Sequence, residues 1–228
     1  MRALDDAALV ALWERGAPLH ALDRALVLCA AARADVPPAR LADLPLGEVN
    51  RALLEVRRAS FGPHLGARVS CERCGAALEM ALDADALAAG LATPAAVGAD
   101  ADDLLRAPTM RDLAAVAGEA NPAAAALALA RRCAAVGDCD ASLEEIERRL
   151  EALDPAADVA LDVTCDACGH AWPASLDLGA FLWTEVTARA RAVIADVDRL
   201  ARAYGWTERE VLGLSPQRRA AYLELCSA

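Results

Sequence analysis

Residues 159–178 read VALDVTCDACGHAWPASLDL, and the middle of that stretch, Val163-Thr-Cys-Asp-Ala-Cys-Gly169, has a counterpart 94 residues earlier, Val69-Ser-Cys-Glu-Arg-Cys-Gly75. Leu82-Asp83 and Leu176-Asp177 match at the same offset. A constant offset over nine positions marks a duplicated unit. Val159, Leu161 and Val163 alternate before the second cysteine pair, and Trp172, Ala174, Leu176 and Leu178 alternate after it. That two-residue period is the signature of half-buried strands. Each unit therefore reads as a strand, a tight CxxC turn and a returning strand, spanning 67–83 and 158–178. Two residues between the cysteines let both sulfurs face one point, and the following glycine relieves crowding as the chain turns back.

One such turn supplies two ligands, whereas a structural zinc ion takes four in a tetrahedron. Two units meeting would complete the shell, so Cys71, Cys74, Cys165 and Cys168 are the expected ligands of one structural Zn2+. Redox-active pairs, two disulfides and metal-free thiols are the competing readings. A redox pair is expected beside a βαβ pattern, and these pairs sit between short strands. His170 follows the second turn but is not needed as a ligand when four thiolates are present. Cys29 and Cys226 fall on apolar helical faces and read as small hydrophobes. Cys133 and Cys139 flank a helix end, where they could pair or bind metal.

Outward from the cysteines the chain reads as helical. Alanine-rich composition with only 4% aromatic residues favours helices. Three helices are expected in the first sixty residues: Leu4 to Arg15 before Gly16, Pro18 to Arg33 before Pro37, and Leu46 to Ser60 before Gly62 and Pro63. In the second, Leu19, Leu22, Leu26 and Cys29 share a face with Val27. Thr109 can cap a helix through Val116, Asn121-Pro122 can open one to Gly137, and Ser142 with Glu145 forms a capping box for one ending before Pro155. The stretch from Gly90 to Asp103 reads as a loop.

The strongest periodicity lies near the C-terminus, where Leu182, Val186, Ala190, Val193, Val197, Leu200 and Tyr204 form a heptad-like seam. Glu185 with Arg189 and Asp198 with Arg202 stand at i,i+4 spacing on what should be its exposed faces. Thr207 with Glu210 should cap a short helix, and Ser215-Pro216 should start a last one through Leu225. The expected fold class is mainly α with a small β zinc-ribbon-like element made of two CxxC hairpins distant in sequence: one helical domain over 1–228, with 90–155 as a helical insertion between the hairpins.

The 228 residues carry a net charge of -11, and all 23 basic residues are arginine. Such an acidic chain is unsuited to a phosphate backbone, so no nucleic-acid partner is expected. No apolar run approaches the roughly 20 residues that span a bilayer, so no membrane association is expected either. MRALDDAALVALWERG places acids where a signal peptide would be apolar, which predicts a cytoplasmic protein. There is no GxSxG, GxxxxGK or strand-linked GxGxxG pattern, and His20, His64 and His170 are far apart. An enzyme is not expected. Trp183, Tyr204 and Trp206 surround the long helix and could form a recognition surface, although core packing is the simpler role.

The segments LWERGAPLHALDRALVLCAAA, FGPHLGARVSCERCG, CDACGHAWPASLDLGAFLW and ARAYGWTEREVLGLSPQRRAAYLEL resemble the T4-family baseplate hub assembly chaperones, relatives of which accompany phage-tail-like contractile injection systems. The resemblance covers most of the chain; the last segment is its most specific part and 90–155 its weakest. It implies a non-enzymatic chaperone that binds baseplate or hub proteins. The alternatives are a structural baseplate subunit of the particle and, from the CxxCG turns alone, a zinc-ribbon nucleic-acid-binding adaptor. Arg68 and Arg73 near those turns are offset by Glu72, Asp166 and Asp177, which is not a cationic face.

Overall fold

The computed structural model describes residues 3–91, 105–134 and 142–226. Asp5 caps α1 (Asp6–Gly16), its carboxylate accepting the Ala8 N–H at 2.9 Å. The Nδ1 atom of His20 accepts the Leu22 N–H at the start of α2 (Ala21–Ala32). These helices begin two and three residues later than the sequence reading placed them, because the capping side chains at Asp5 and His20 define the first turns. The buried face of α2 is also shifted: Ala25, Leu28 and Cys29 are buried, with Leu22 and Leu26 flanking them. A one-turn helix, α3 (Pro38–Leu41), leads to α4 (Leu46–Phe61), which ends at Gly62 with φ 87°.

Strands β1 (His64–Ser70) and β2 (Ala77–Asp83) form one antiparallel hairpin, and α5 (Ala84–Gly90) follows, capped by Asp83. In the middle, α6 (Met110–Val116) carries a full capping box between Thr109 and Asp112. Asn121 and Pro122 open α7 (Pro122–Cys133) as expected. Residues 92–104, which hold nearly all of the expected loop, and 135–141, including Cys139 and the expected end of that helix at Gly137, lie outside the described residues. Ser142 caps α8 (Leu143–Leu153), but the reciprocal half of the expected box is replaced: the Glu145 carboxylate accepts from Arg148 at 2.6 and 3.0 Å. A bidentate guanidinium outcompetes a single backbone N–H.

The second hairpin pairs β3 (Ala160–Thr164) with β4 (Ala171–Ser175). The strand pattern expected through Leu178 stops at Ser175, because Asp177 caps α9 (Leu178–Tyr204) by accepting the Ala180 N–H. Likewise the first hairpin begins at His64, earlier than residue 67. The two hairpins are equivalent in register: Val69 faces Leu78 as Val163 faces Trp172, each partner 94 residues further on. Duplication extends beyond the cysteines, since α4–β1–β2–α5 and α8–β3–β4–α9 both run helix, hairpin, aspartate-capped helix.

The 27-residue α9 is the axis on which α1, α2 and α4 pack. Leu182, Val186, Ala190, Val193 and Leu200 are buried as the seam predicts: Leu182 and Val186 join the cluster of Leu12, Leu28, Leu53 and Val56, and Ala190 and Val193 cluster with Val10. Val197 is only half-buried and Tyr204 is 40% exposed. A straight helix drifts about 20° per heptad from a seven-residue repeat, and among the described elements it is α10 (Glu208–Leu212) and α11 (Pro216–Cys226) that pack near that end. Asp198 and Arg202 pair at 2.8 Å as expected. Glu185 and Arg189 do not pair with each other. Glu185 accepts from buried Arg57 of α4 at 2.9 and 3.0 Å, and Arg189 donates to Asp6 of α1 at 2.8 and 3.0 Å. Both side chains face packed helices, where two-pronged tertiary partners win over an i,i+4 neighbour.

Candidate metal centre

Each CxxC turn is closed by the same bonds. The Gly75 N–H donates to the Cys71 carbonyl and the Cys71 N–H to the Ala76 carbonyl, both at 2.8 Å; the Gly169–Cys165 and Cys165–His170 bonds repeat these at 2.8 Å. Gly75 and Gly169 sit at φ 73° and 68°, the left-handed region that a Cβ disfavours. The inner faces of the hairpins then bury Val163 and Trp172 with Cys71 and Cys165, flanked by Val69, Leu78, Met80 and Leu161, while Cys168 is half-buried and Cys74 exposed.

The result brings all four expected ligands together. The Sγ atoms of Cys71 and Cys168 are 3.7 Å apart, those of Cys74 and Cys165 also 3.7 Å, and all four lie within 4.8 Å of one another. A tetrahedron with metal–sulfur bonds of about 2.3 Å has edges of about 3.8 Å. The donor set and its spacing therefore fit a metal ion, and four thiolates would fill every position of a tetrahedral shell. The seven described cysteines are free thiols.

Electrostatics separates Cys71 from Cys74 and Cys168. Burial opposes ionisation of Cys71, but the Cys74 and Arg73 N–H groups and the Cys165 and Cys74 thiols bring it down to about 7. At Cys74 the Ala76 N–H and the Cys168 thiol pull downward, yet desolvation with the Cys165 and Cys71 thiols carries the net shift upward. At Cys168 the His170 N–H pulls downward, while desolvation and the other three thiols push it up to about 12. A Cys71 thiolate near neutrality thus holds protons on Cys74 and Cys168, and a cation would displace them.

His170 is not in the cluster. Its ring stacks on Trp172 with centroids 5.4 Å apart. Cys29 and Cys133 are buried, and burial raises both thiols, Cys29 to about 11. Cys226 is half-buried near Tyr204. His20 serves as a helix cap and His64 is exposed. The backbone N–H groups around the sulfurs are the part of the site that sequence reasoning missed; glycine after each second cysteine was their available signal. Buried Arg57 was missed as well, although it stands one turn after Leu53 on the apolar stripe of α4.

Fold and site define a mainly helical protein in which two distant hairpins converge on a four-cysteine centre. Comparison with protein-family models, curated proteins and solved structures finds no match. No described helix is long and apolar enough to cross a membrane.

Proposed function

We propose that this chain is a non-enzymatic assembly factor for the baseplate or hub of a phage tail or contractile injection system, acting by protein–protein binding, with one structural zinc ion on Cys71, Cys74, Cys165 and Cys168. The observation that carries the reading is the C-terminal segment with the most specific resemblance. Its Tyr204, Trp206 and Tyr222 form a cluster with ring centroids 4.8 to 5.8 Å apart, and Tyr204 and Leu225 beside it are exposed. Large aromatic rings partly open to solvent are common anchors of protein interfaces. Zinc is the natural occupant of a closed four-thiolate tetrahedron, and its role there is to hold the two hairpins to each other.

Co-expression with hub and baseplate subunits followed by affinity capture tests the reading. A tail component should be retained, and the protein should be missing or substoichiometric in purified particles. Normal particle assembly in its absence, with nothing captured, would sink it; a full complement in the mature particle would make it a structural subunit instead. Metal analysis should find one zinc per chain, and two or none would refute the shared site.

A further inference from the structure

Between β2 and β3 runs a groove of about 410 Å3. Its β3 wall is an open strand edge. The Cys165 N–H donates to the His170 carbonyl, which fixes the alternation of the ladder. Leu161 and Val163 bond toward β4, while the backbone groups of Ala160, Asp162 and Thr164 point outward. Among the described residues no segment hydrogen-bonds to that edge. The far edge of the same hairpin is different. Pro173 lies opposite Asp162, at an outward-facing position where proline offers no N–H, a known way of closing a strand edge to other chains. The hairpin is thus blocked on one side and open on the side that lines the groove.

The groove is also electronegative. Glu79, Asp162 and Asp166 line it, with no arginine among its lining residues. Glu79 is neutralised by Arg68 at 2.6 Å, but Asp162 and Asp166 have no ion-pair partner among the described residues. Cys165 lines the same groove, and a zinc ion held by four thiolates has a formal charge of two minus. Leu78 and Met80 supply apolar floor at alternate positions, which suits an extended chain with every second side chain turned inward.

We infer that this groove seats an extended, arginine- or lysine-rich segment of a partner protein, added as a strand along β3. Main-chain bonds to Ala160, Asp162 and Thr164 would supply affinity, and the acidic walls would select the sequence. The inference deepens the assembly-factor reading by giving the partner's chemistry, and rests on it only for the partner's identity.

The test uses the zinc-loaded full chain and fluorescent peptides of about eight residues. One alternates arginine with valine, a second alternates glutamate with valine, and a third is the arginine peptide with its strand-pairing amides N-methylated. The arginine peptide should bind and slow amide exchange at residues 160–164; the other two should bind at least about tenfold more weakly. Asp162→Pro removes the outward N–H and the charge at a position that makes no ladder bond to β4, and should weaken binding about tenfold with zinc content unchanged. Equal binding of the N-methylated peptide, or protection confined to other elements, overturns the inference without any protein variant. The two readings fail separately. If wild-type chain and Asp162→Pro capture the same tail component equally, the groove is wrong and the assembly role stands; if the arginine peptide binds as a strand while no tail component is captured, the reverse holds.

Discussion

At the scale of single residues, buried charge is handled by over-determination. Asp112 is 2% exposed at its side chain and accepts from Arg106 at 2.6 and 2.9 Å, from Arg132 at 3.1 Å and from Thr109. The Arg106 guanidinium, together with Thr109, holds its carboxyl well below the usual carboxylate range although burial works the other way. A depressed carboxyl contributes stability above its unfolded value of about 3.9, and that contribution is lost as pH falls below it toward the folded value. Asp112→Asn should therefore cost about 2 kcal/mol at pH 7, and wild type and variant should converge in acid. Urea unfolding at neutral pH and near pH 3 checks this; a gap that does not narrow would show that packing, not charge, carries the effect. The cysteines give a second prediction with its own sign. Cys74 and Cys168 are both shifted upward, so metal uptake near neutrality must release at least their two protons. Zinc affinity should fall as pH falls, steeply enough to appear in chelator competition between pH 8 and pH 6.

At the scale of elements, the joins between helices depend on contacts that no local pattern announces. The start of α4 meets the end of α8 where buried Asp154 accepts the Gly47 N–H at 2.8 Å. A Cβ at residue 47 would fall 2.0 Å from the Asp154 Oδ1 atom, so Gly47→Ala must break that bond or displace α8. It should destabilise by about 2 kcal/mol, read as a lower melting temperature, and Gly47→Ala with Asp154→Ala should cost less than the sum of the single changes. Strict additivity would place the strain elsewhere. The contrast with the hairpins shows what the chain revealed in advance. The CxxC turns and the seam of α9 were legible because each is a local pattern, and the 94-residue offset because the same local pattern is written twice. Asp154 and Gly47 are 107 residues apart, and Glu185 and Arg57 are 128 apart; nothing near any of them in sequence names the partner. The one-turn α3 and the seven-residue α5 were also unseen, since four to seven residues carry too little periodicity to register.

At the scale of the whole molecule, the metal centre and the helical core are separate structures joined at the hairpin bases. The large cluster unites α1, α2, α4 and α9 and takes in Leu65, Val159 and, partly, Leu82 and Leu176 from the ends of the hairpins. The tips belong to a different cluster, made of Cys71, Val163, Cys165 and Trp172 with a few half-buried neighbours. A patch that small has too little apolar area to hold two hairpins face to face by burial alone. The helical core has no such need, being built on long apolar seams. Metal removal should therefore act locally. After chelation, far-UV circular dichroism at 25 °C should keep nearly all of its helical signal. Amide exchange should accelerate over residues 66–80 and 161–174, while α4 and α9 stay protected. Cys71→Ser and Cys165→Ser should reproduce that pattern, and His170→Ala should leave zinc content unchanged because its ring lies on Trp172, outside the ligand set. If chelation instead melts α9 with the hairpins, the two clusters fold as one unit and the ion is a folding nucleus for the whole chain. Local loss would leave the helical surface intact while releasing β3 from its fixed position, so binding that depends on the groove should vanish with the metal and binding through α10 and α11 should not.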